Sequence, residues 1–520
     1  MSVTIRTRAQ VGIDAPQVLV EAHCQPGTPS FTVVGMAQTA VREARDRVRS
    51  AIKNVGLKYP QGRLVVNLAP ADLAKHGGRY DLAIAIAILA ATEQVNPQHV
   101  DRLEFLGELS LYGEVRGVRG AFCAASRLHG RDDGLVVPAG NLDELAPLVD
   151  VAVYPVSTLK DAVRLLQAPE LPEPCRPRRP TGARSRRRES LSDVRGQATA
   201  KRALAVAAAG GHHLLMTGPP GTGKTMLARR LAGLLPDLSV DEAIEVANVY
   251  SVSSRKAPDF GSRPFCDPHH TASPAAIVGG GNPVAPGEIT LAHRGVLFLD
   301  ELPEYQRRVL EALREPLEAG EVAVARVGQT VRYPARFQLV AAMNPCPAGY
   351  VCDEAHCRCA PHQVRQYRSR ISGPLLDRID IRVEVGPVPE KDLWGEPPSP
   401  SEDIELRKLV AAAQARQMRR AGKINAALSV REIERYCVMA PSAATLLRRA
   451  ASRFRLSARA VHRLRKVALT IADLAGADEA ASAHVAEALT FRALDEELAD
   501  SGSPLVPFAG DSRHVLDGGA

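Results

Sequence analysis

Aromatic residues are scarce in this chain, making up 4% of its 520 positions. Stacking of nucleobases on aromatic platforms is therefore a poor expectation, and contact with a phosphate backbone a better one. Also missing is any apolar run of about 18 residues, the length a membrane-spanning helix needs. The longest run, LAIAIAILAA at 82–91, suits a buried helix. The opening MSVTIRTRAQVGID has no basic-then-apolar leader pattern. A cytoplasmic location is the resulting expectation, and disulfides are disfavoured there. The nine cysteines are then either inert or ligands. No internal repeat is visible.

What is present is ordinary for a soluble globular protein, with 45% hydrophobic and 24% charged residues. The length exceeds what one core supports and predicts about two to four domains. The formal net charge of +8 is compatible with a polyanionic partner without requiring one.

One linker stands out at 169–190, PELPEPCRPRRPTGARSRRRES, with arginines at Arg176, Arg178, Arg179, Arg184, Arg186, Arg187 and Arg188 and no apolar period. It reads as a charged hinge, either simply solvated or an arm for nucleic acid. Ahead of it, residues 1–168 mix strand-like runs (FTVVGM, LVVNLAP, GLVVPAG, VAVYPV) with helical ones (TAVREARDRVRSAIKNVG, YDLAIAIAILAAT). Strands and helices alternate from 191 to 390, which predicts a parallel α/β sheet. A Pro-rich joint follows at 391–403. Residues 404–500 read as helical throughout, and 501–520 as a disordered tail.

The chemistry concentrates in the middle. HHLLMTGPPGTGKTMLARRLAGLLP (212–236) is an apolar strand, a Gly-rich loop and a helix. The loop Gly218-Pro219-Pro220-Gly221-Thr222-Gly223-Lys224-Thr225 fits G-x-x-x-x-G-K-S/T, whose backbone amides and helix N-terminus cradle phosphate oxygens. Lys224 would reach the β- and γ-phosphates of ATP, and Thr225 would hold Mg²⁺. GVLFLDE (295–301) is an apolar strand ending in two acids. Asp300 would join the Mg²⁺ shell and Glu301 would polarise the attacking water. A third strand, FQLVAAMN (337–344), ends in Asn344, placed to hold that water. SRISGPLLDRIDI (369–381) offers Arg370 and Arg378 as donors to transition-state charge, with Arg378 preferred. Either arginine could instead be a salt-bridge partner.

The ordered set GPPGTGKT, GVLFLDE, AAMNPCPAG and SRISGPLLDRIDI resembles the magnesium-chelatase-like AAA+ ATPases, and among them the ComM/YifB subfamily. FTVVGMAQTAVREARDRVRSAIKN and GRLVVNLAPADLAKHGGRYDLAIAIAILAA resemble that subfamily's amino-terminal domain. SARAVHRLRKVALTIADL resembles its carboxy-terminal one. The resemblance covers roughly residues 3–495 and implies a multidomain α/β protein. Its parts would be a Lon-protease-like α+β amino-terminal domain, an AAA+ P-loop core with a parallel sheet, and a helical lid. It implies that Arg378 acts on a neighbouring subunit's site and that Arg459, opening a lid helix, touches the γ-phosphate. LSDVRGQATAKRAL (191–204) would fold over the adenine. Ring hexamers and ATP-driven DNA branch migration during natural transformation are implied as well.

Two departures from the family pattern bear on function. Lon-type proteases use a Ser–Lys pair, but KHGGRYDLA (75–83) has Lys75 with Tyr80-Asp81 where the nucleophile's segment falls, and Ser110 and Ser126 have no evident base. The amino-terminal domain is expected to be non-proteolytic. The family's Asn-Pro-Cys-Pro-Cys-Gly is here NPCPAG, with Ala348 in place of a thiol. Cys346, Cys352, Cys357 and Cys359 remain, with His356 and His362 nearby. They would form a structural Zn²⁺ site, or be inert or redox-sensitive thiols. Cys266, His269 and His270 are a weaker metal candidate. The run EVAVARVGQTVRYPAR (321–336) alternates as a hairpin, with its turn expected at Gly328-Gln329 and Arg326 and Arg332 available for phosphates. Two readings compete: an ATP-driven DNA motor, or a chelatase-type remodeller that acts on a protein partner or inserts a metal.

Overall fold

The computed structural model describes residues 4–35, 43–176, 189–281, 284–326, 329–349, 359–394 and 400–492. The chain folds as two units, each built from separated segments. One comprises Met1–Ser190, Leu235–Leu299 and Tyr305–Leu339, and the other Leu191–Leu234, Asp300–Glu304 and Val340–Ala520. The sequence led us to expect 191–390 as one domain. In this division residues 235–299 and 305–339 fall in the unit that holds the amino-terminal residues.

The first unit holds a seven-stranded mixed sheet in the order Ser30–Val34, Arg63–Ala69, Gln17–Gln25, Thr4–Arg8, Leu103–Phe105, Gly134–Pro138, Ala152–Val156. The strand Gln17–Gln25 runs antiparallel to both of its neighbours, and the remaining pairs are parallel. Along it, Val18, Val20 and Ala22 point inward at period two. The helix Asp81–Ala91 is apolar on every face and correspondingly buried at every position from Asp81 to Ala90. Within the segment read as a linker, the Cys175 amide donates to the Val153 carbonyl at 2.8 Å. Its arginine run at 177–188 lies outside the described residues.

In the same unit the helix Val240–Ser251 packs against the helix Ala121–Ser126. Cys123 Sγ donates to the Asn248 carbonyl at 3.3 Å, and the Phe122 amide to Ser251 Oγ at 3.2 Å. A cleft of about 720 Å³ opens beside them, lined by Arg119, Asn141, Glu144, Tyr250 and Arg255 among others. The expected hairpin forms from Glu321–Arg326 and Gln329–Pro334. Gln329 pairs with Arg326 as a strand residue and so lies in the hairpin's second strand, not in the turn where the sequence put it, and Gly328 lies outside the described residues.

The second unit is centred on the buried strand Leu214–Thr217. Residues 340–343 of the strand Gln338–Met343 lie parallel on one side and Ile381–Glu384 parallel on the other. The parallel sheet expected from the alternating pattern is therefore present. Five longer helices follow, Pro400–Ala421, Val430–Tyr436, Pro441–Arg453, Ala458–Leu474 and Ser482–Thr490. The first begins inside the segment expected to be a joint. A proline is tolerated in a first helical turn, and Glu402 and Asp403 suit that turn's dipole. The helix Ala458–Leu474 starts where Ser457 accepts the Ala460 amide. It buries Ala460, Leu464, Val467, Ala468 and Ile471 at helical spacing. It packs against the helices Ala198–Gly210, Pro400–Ala421 and Ser482–Thr490.

Candidate functional site

The strand Leu214–Thr217 delivers the chain into the loop 218–223, and the helix Lys224–Leu234 begins directly after it. Each glycine of the loop answers a different constraint. A Cβ on Gly218 would stand 2.1 Å from the Val385 carbonyl oxygen. Gly221 and Gly223 have open space around them but adopt φ of +80° and +89°, which side chains with a Cβ rarely take. The Gly218 amide donates to the Met343 carbonyl at 3.2 Å, and this ties the loop to the neighbouring strand.

Lys224 is buried, and its Nζ donates to the carbonyls of Gly218 at 2.7 Å and Pro219 at 2.8 Å and to Asn344 Oδ1 at 3.2 Å. Burial pushes its pKa below the usual lysine range, against the pull of Asp300 and Glu301. Thr225 Oγ1 donates to Asp300 Oδ2 at 2.7 Å, and Asp300 Oδ1 accepts the Glu301 amide at 2.9 Å. Glu301 itself has φ of +51°. Lys224, Thr225, Asp300 and Asn344, drawn from three separated segments, thus meet through direct hydrogen bonds. A hydroxyl and a carboxylate in contact form an oxygen-only donor set, which fits Mg²⁺. A lysine and glycine-loop amides beside it suit phosphate oxygens.

The arginines divide. Arg370 is paired with Glu304 Oε2 at 2.9 Å, the salt-bridge role the sequence allowed for it. Arg378 Nη1 donates to the Pro374 carbonyl at 2.6 Å, from the short segment between the helix Gly373–Leu376 and the strand Ile381–Glu384. Arg459 is exposed in the first turn of its helix. Both lie close enough to Arg463 for their charges to help lower its pKa, although burial is the larger cause.

A polar network missed by the sequence reading runs behind the loop. His212 is fully buried. Its Nδ1 lies 3.0 Å from Asp380 Oδ2 and its Nε2 lies 2.8 Å from Thr470 Oγ1. The signal that could have found it is the Gly-Gly-His-His entry to the strand. A Cβ on Gly210 would fall 2.3 Å from the His212 ring and 2.6 Å from Thr470 Oγ1, so only glycine lets the ring through.

The remaining candidates fare differently. Cys346 is buried and Cys359 half-buried, while Cys352, Cys357 and His356 lie outside the described residues. Among the described residues no group of three or more His, Cys, Asp or Glu could hold a metal, so neither the four-thiol zinc site nor the Cys266–His269–His270 set gains support. Arg332 is ion-paired across its hairpin to Glu321 at 2.6 Å, so it is not simply available for phosphates. The side chain of Arg326 is outside the described set. In the amino-terminal segment Tyr80 is buried, and Asp81 accepts Arg47 Nε at 2.7 Å. Ser110 Oγ accepts the Glu114 amide, and Ser126 Oγ donates to the Cys123 carbonyl and to Asn248 Oδ1. No helix among the described residues is long and apolar enough to cross a membrane.

Comparison with known proteins identifies the family. Residues 190–393 match the family described as magnesium chelatase, subunit ChlI. Residues 20–141 match a further ChlI family, and residues 400–492 the ChlI carboxy-terminal family. The competence protein ComM of Haemophilus influenzae is 46% identical over 495 residues, covering 94% of this chain and 97% of that protein. YifB of Escherichia coli is 46% identical over 498 residues, covering 95% and 97%. The magnesium-chelatase 38 kDa subunit of Rhodobacter capsulatus is 27% identical over 264 residues, covering 45% of this chain and 71% of that protein. The chain belongs to the magnesium-chelatase-like AAA+ ATPases, in the ComM/YifB subfamily.

Proposed function

We propose that the chain is an ATP-hydrolysing AAA+ ring motor that acts on branched or single-stranded DNA, with branch migration or helicase activity in recombination during natural transformation. The observation that carries the ATPase part is the hydrogen-bonded meeting of Lys224, Thr225, Asp300 and Asn344 at one glycine loop. Gly218 to Thr225 take the phosphates. Thr225 and Asp300 hold Mg²⁺, which when bound neutralises charge developing on the phosphate oxygens. Glu301 accepts a proton from the attacking water as general base, and Asn344 orients that water. Arg378 serves the site of the neighbouring subunit in a hexameric ring, and Arg459 contacts the γ-phosphate.

DNA as the partner is supported by the competence protein that this chain matches over nearly its whole length. It is supported independently by charge. No Asp or Glu occurs from Pro441 to Lys466. Arg448, Arg449, Arg453 and Arg455 are all exposed there, and none is ion-paired among the described residues. The amino-terminal domain, Lon-like by resemblance, is read as a non-proteolytic scaffold. The match to a magnesium-chelatase subunit favours a second reading, an ATP-driven remodeller of a protein partner or a metal-inserting machine.

Steady-state ATP hydrolysis with and without a four-way DNA junction, beside Glu301→Gln, separates the two. A several-fold rise with the junction, absent in the variant, supports the DNA motor. Measurable basal turnover that no DNA raises shifts the reading to the remodeller.

A further inference from the structure

The buried network behind the phosphate loop joins three parts of the second unit that must stay in register for hydrolysis. His212 stands at the base of the strand that feeds the loop, with its amide held by the Ala207 carbonyl at 3.1 Å. Its partner Asp380 is two residues beyond Arg378 and directly precedes the strand Ile381–Glu384. Burial alone would raise the Asp380 pKa, but the His212 hydrogen bond and nearby positive charge hold it down to about 2. Arg463 Nε lies 3.6 Å from its other oxygen. The second partner, Thr470, is fully buried on the helix whose first turn carries Arg459.

Thr470 does not hang free. Its Oγ1 donates to the Lys466 carbonyl at 2.9 Å and accepts Asn425 Nδ2 at 3.0 Å. The same Asn425 Nδ2 reaches Asp473 Oδ2 at 2.9 Å, and Arg420 clamps that carboxylate at 2.8 and 2.7 Å. Gln417 closes the circuit by accepting the Asn425 amide at 2.8 Å and donating to the Ala209 carbonyl at 3.1 Å. Both sides of the His212 ring therefore rest on groups that are themselves fixed.

We infer that His212 is a positioning residue, which sets Arg378 through Asp380 and is braced against the lid helix by Thr470. This rests on the reading of Arg378 as a donor to the neighbouring subunit's site. A carboxylate hydrogen-bonded at a set distance fixes the backbone two residues from the arginine, and displacements near 1 Å at such a distance cost catalysis severely. The side-chain contacts of His212 to Asp380 and Thr470 involve no group assigned to the nucleotide, so nucleotide binding should survive its loss.

The test is steady-state hydrolysis by full-length His212→Ala and by the volume-conserving Asp380→Asn, each alone and mixed with Glu301→Gln subunits. If His212→Ala fails to fold, Asp380→Asn carries the test. Alone, each variant should lose about tenfold to a hundredfold in kcat, with KM for ATP changed by less than about threefold. Mixing with Glu301→Gln, itself inactive, should restore turnover, because that subunit supplies a well-placed Arg378 to the variant's intact phosphate site. The inference is overturned if kcat is unchanged, if KM rises in step with the loss, or if mixing restores nothing although Arg378→Ala subunits regain activity in the same mixture. If Arg378→Ala also regains nothing, Arg378 does not act across subunits, and the parent reading falls together with this inference.

Discussion

Glu301 occupies left-handed backbone space at φ of +51°, where a residue other than glycine costs about 1–3 kcal/mol. Its neighbour Asp300 holds the turn by accepting the Glu301 amide. Such a conformation is in keeping with the general-base role proposed for Glu301. Glu301→Gly is expected to keep or raise the melting temperature while hydrolysis disappears; a fall in melting temperature would identify the carboxylate as a structural anchor instead. Glu144 carries a different tension. Burial lifts its pKa from the ordinary 4.5 to about 7, although Asn141 Nδ2 donates to it at 2.7 Å. The folded state then binds a proton that the unfolded state releases, so stability falls as pH rises from about 4.5 through 7. Glu144→Gln should flatten that decline in urea titrations between pH 5 and 8; an unchanged slope would place its cause elsewhere. Residues such as Lys224 and Thr225 were legible in the sequence because the loop that uses them is local. His212 was not, since its partners lie 168 and 258 positions away and no periodicity reports such distances.

Among elements, the strand–loop–helix around Gly218 makes the sharpest claim. The Val385 carbonyl leaves no room for a Cβ there, whereas Gly221 and Gly223 are held only by backbone angle. Gly218→Ala is therefore expected to weaken binding of a fluorescent ATP analogue more than Gly221→Ala, whose cost should be near 1–2 kcal/mol. The reverse order would mean that Ile381–Glu384 and its exit can move aside freely. The runs LVVNLAP, GLVVPAG and VAVYPV did become strands; Gly134–Pro138 is buried at every position, as a continuous apolar run suggests, whereas Arg63–Ala69 and Ala152–Val156 are buried only in part. Thr4–Arg8 and Gln17–Gln25 escaped notice. The first hides an arginine inside, and Arg8 is buried only because Glu104 receives it at 2.5 Å from nearly a hundred positions away. The second sets its buried residues between outward-facing Gln17, Leu19, Glu21 and His23 and resembles a surface segment.

At the scale of the whole molecule, the exposed arginines at 448–455 make a quantitative claim about nucleic acid. Replacing Arg448, Arg449, Arg453 and Arg455 by Gln should weaken oligonucleotide binding and lower the slope of log affinity against log salt by up to about 0.9 per lost phosphate contact. An unchanged slope would remove this face from the DNA path. The order of segments along the chain was legible from composition, but their grouping was not. Nothing in residues 235–299 and 305–339 announces that they fold with the amino-terminal segment. That interleaving has a consequence for how the protein comes apart. Seven arginines crowd 176–188, so trypsin has ample sites there. Yet a nick would not free the amino-terminal fragment, because Phe122, Cys123 and Ser126 remain bonded to Ser251 and Asn248 on the far side of the cut. The two pieces would travel as one particle through gel filtration and part only in denaturant. A truncation placed at the linker would yield an incomplete fold, not a liberated domain.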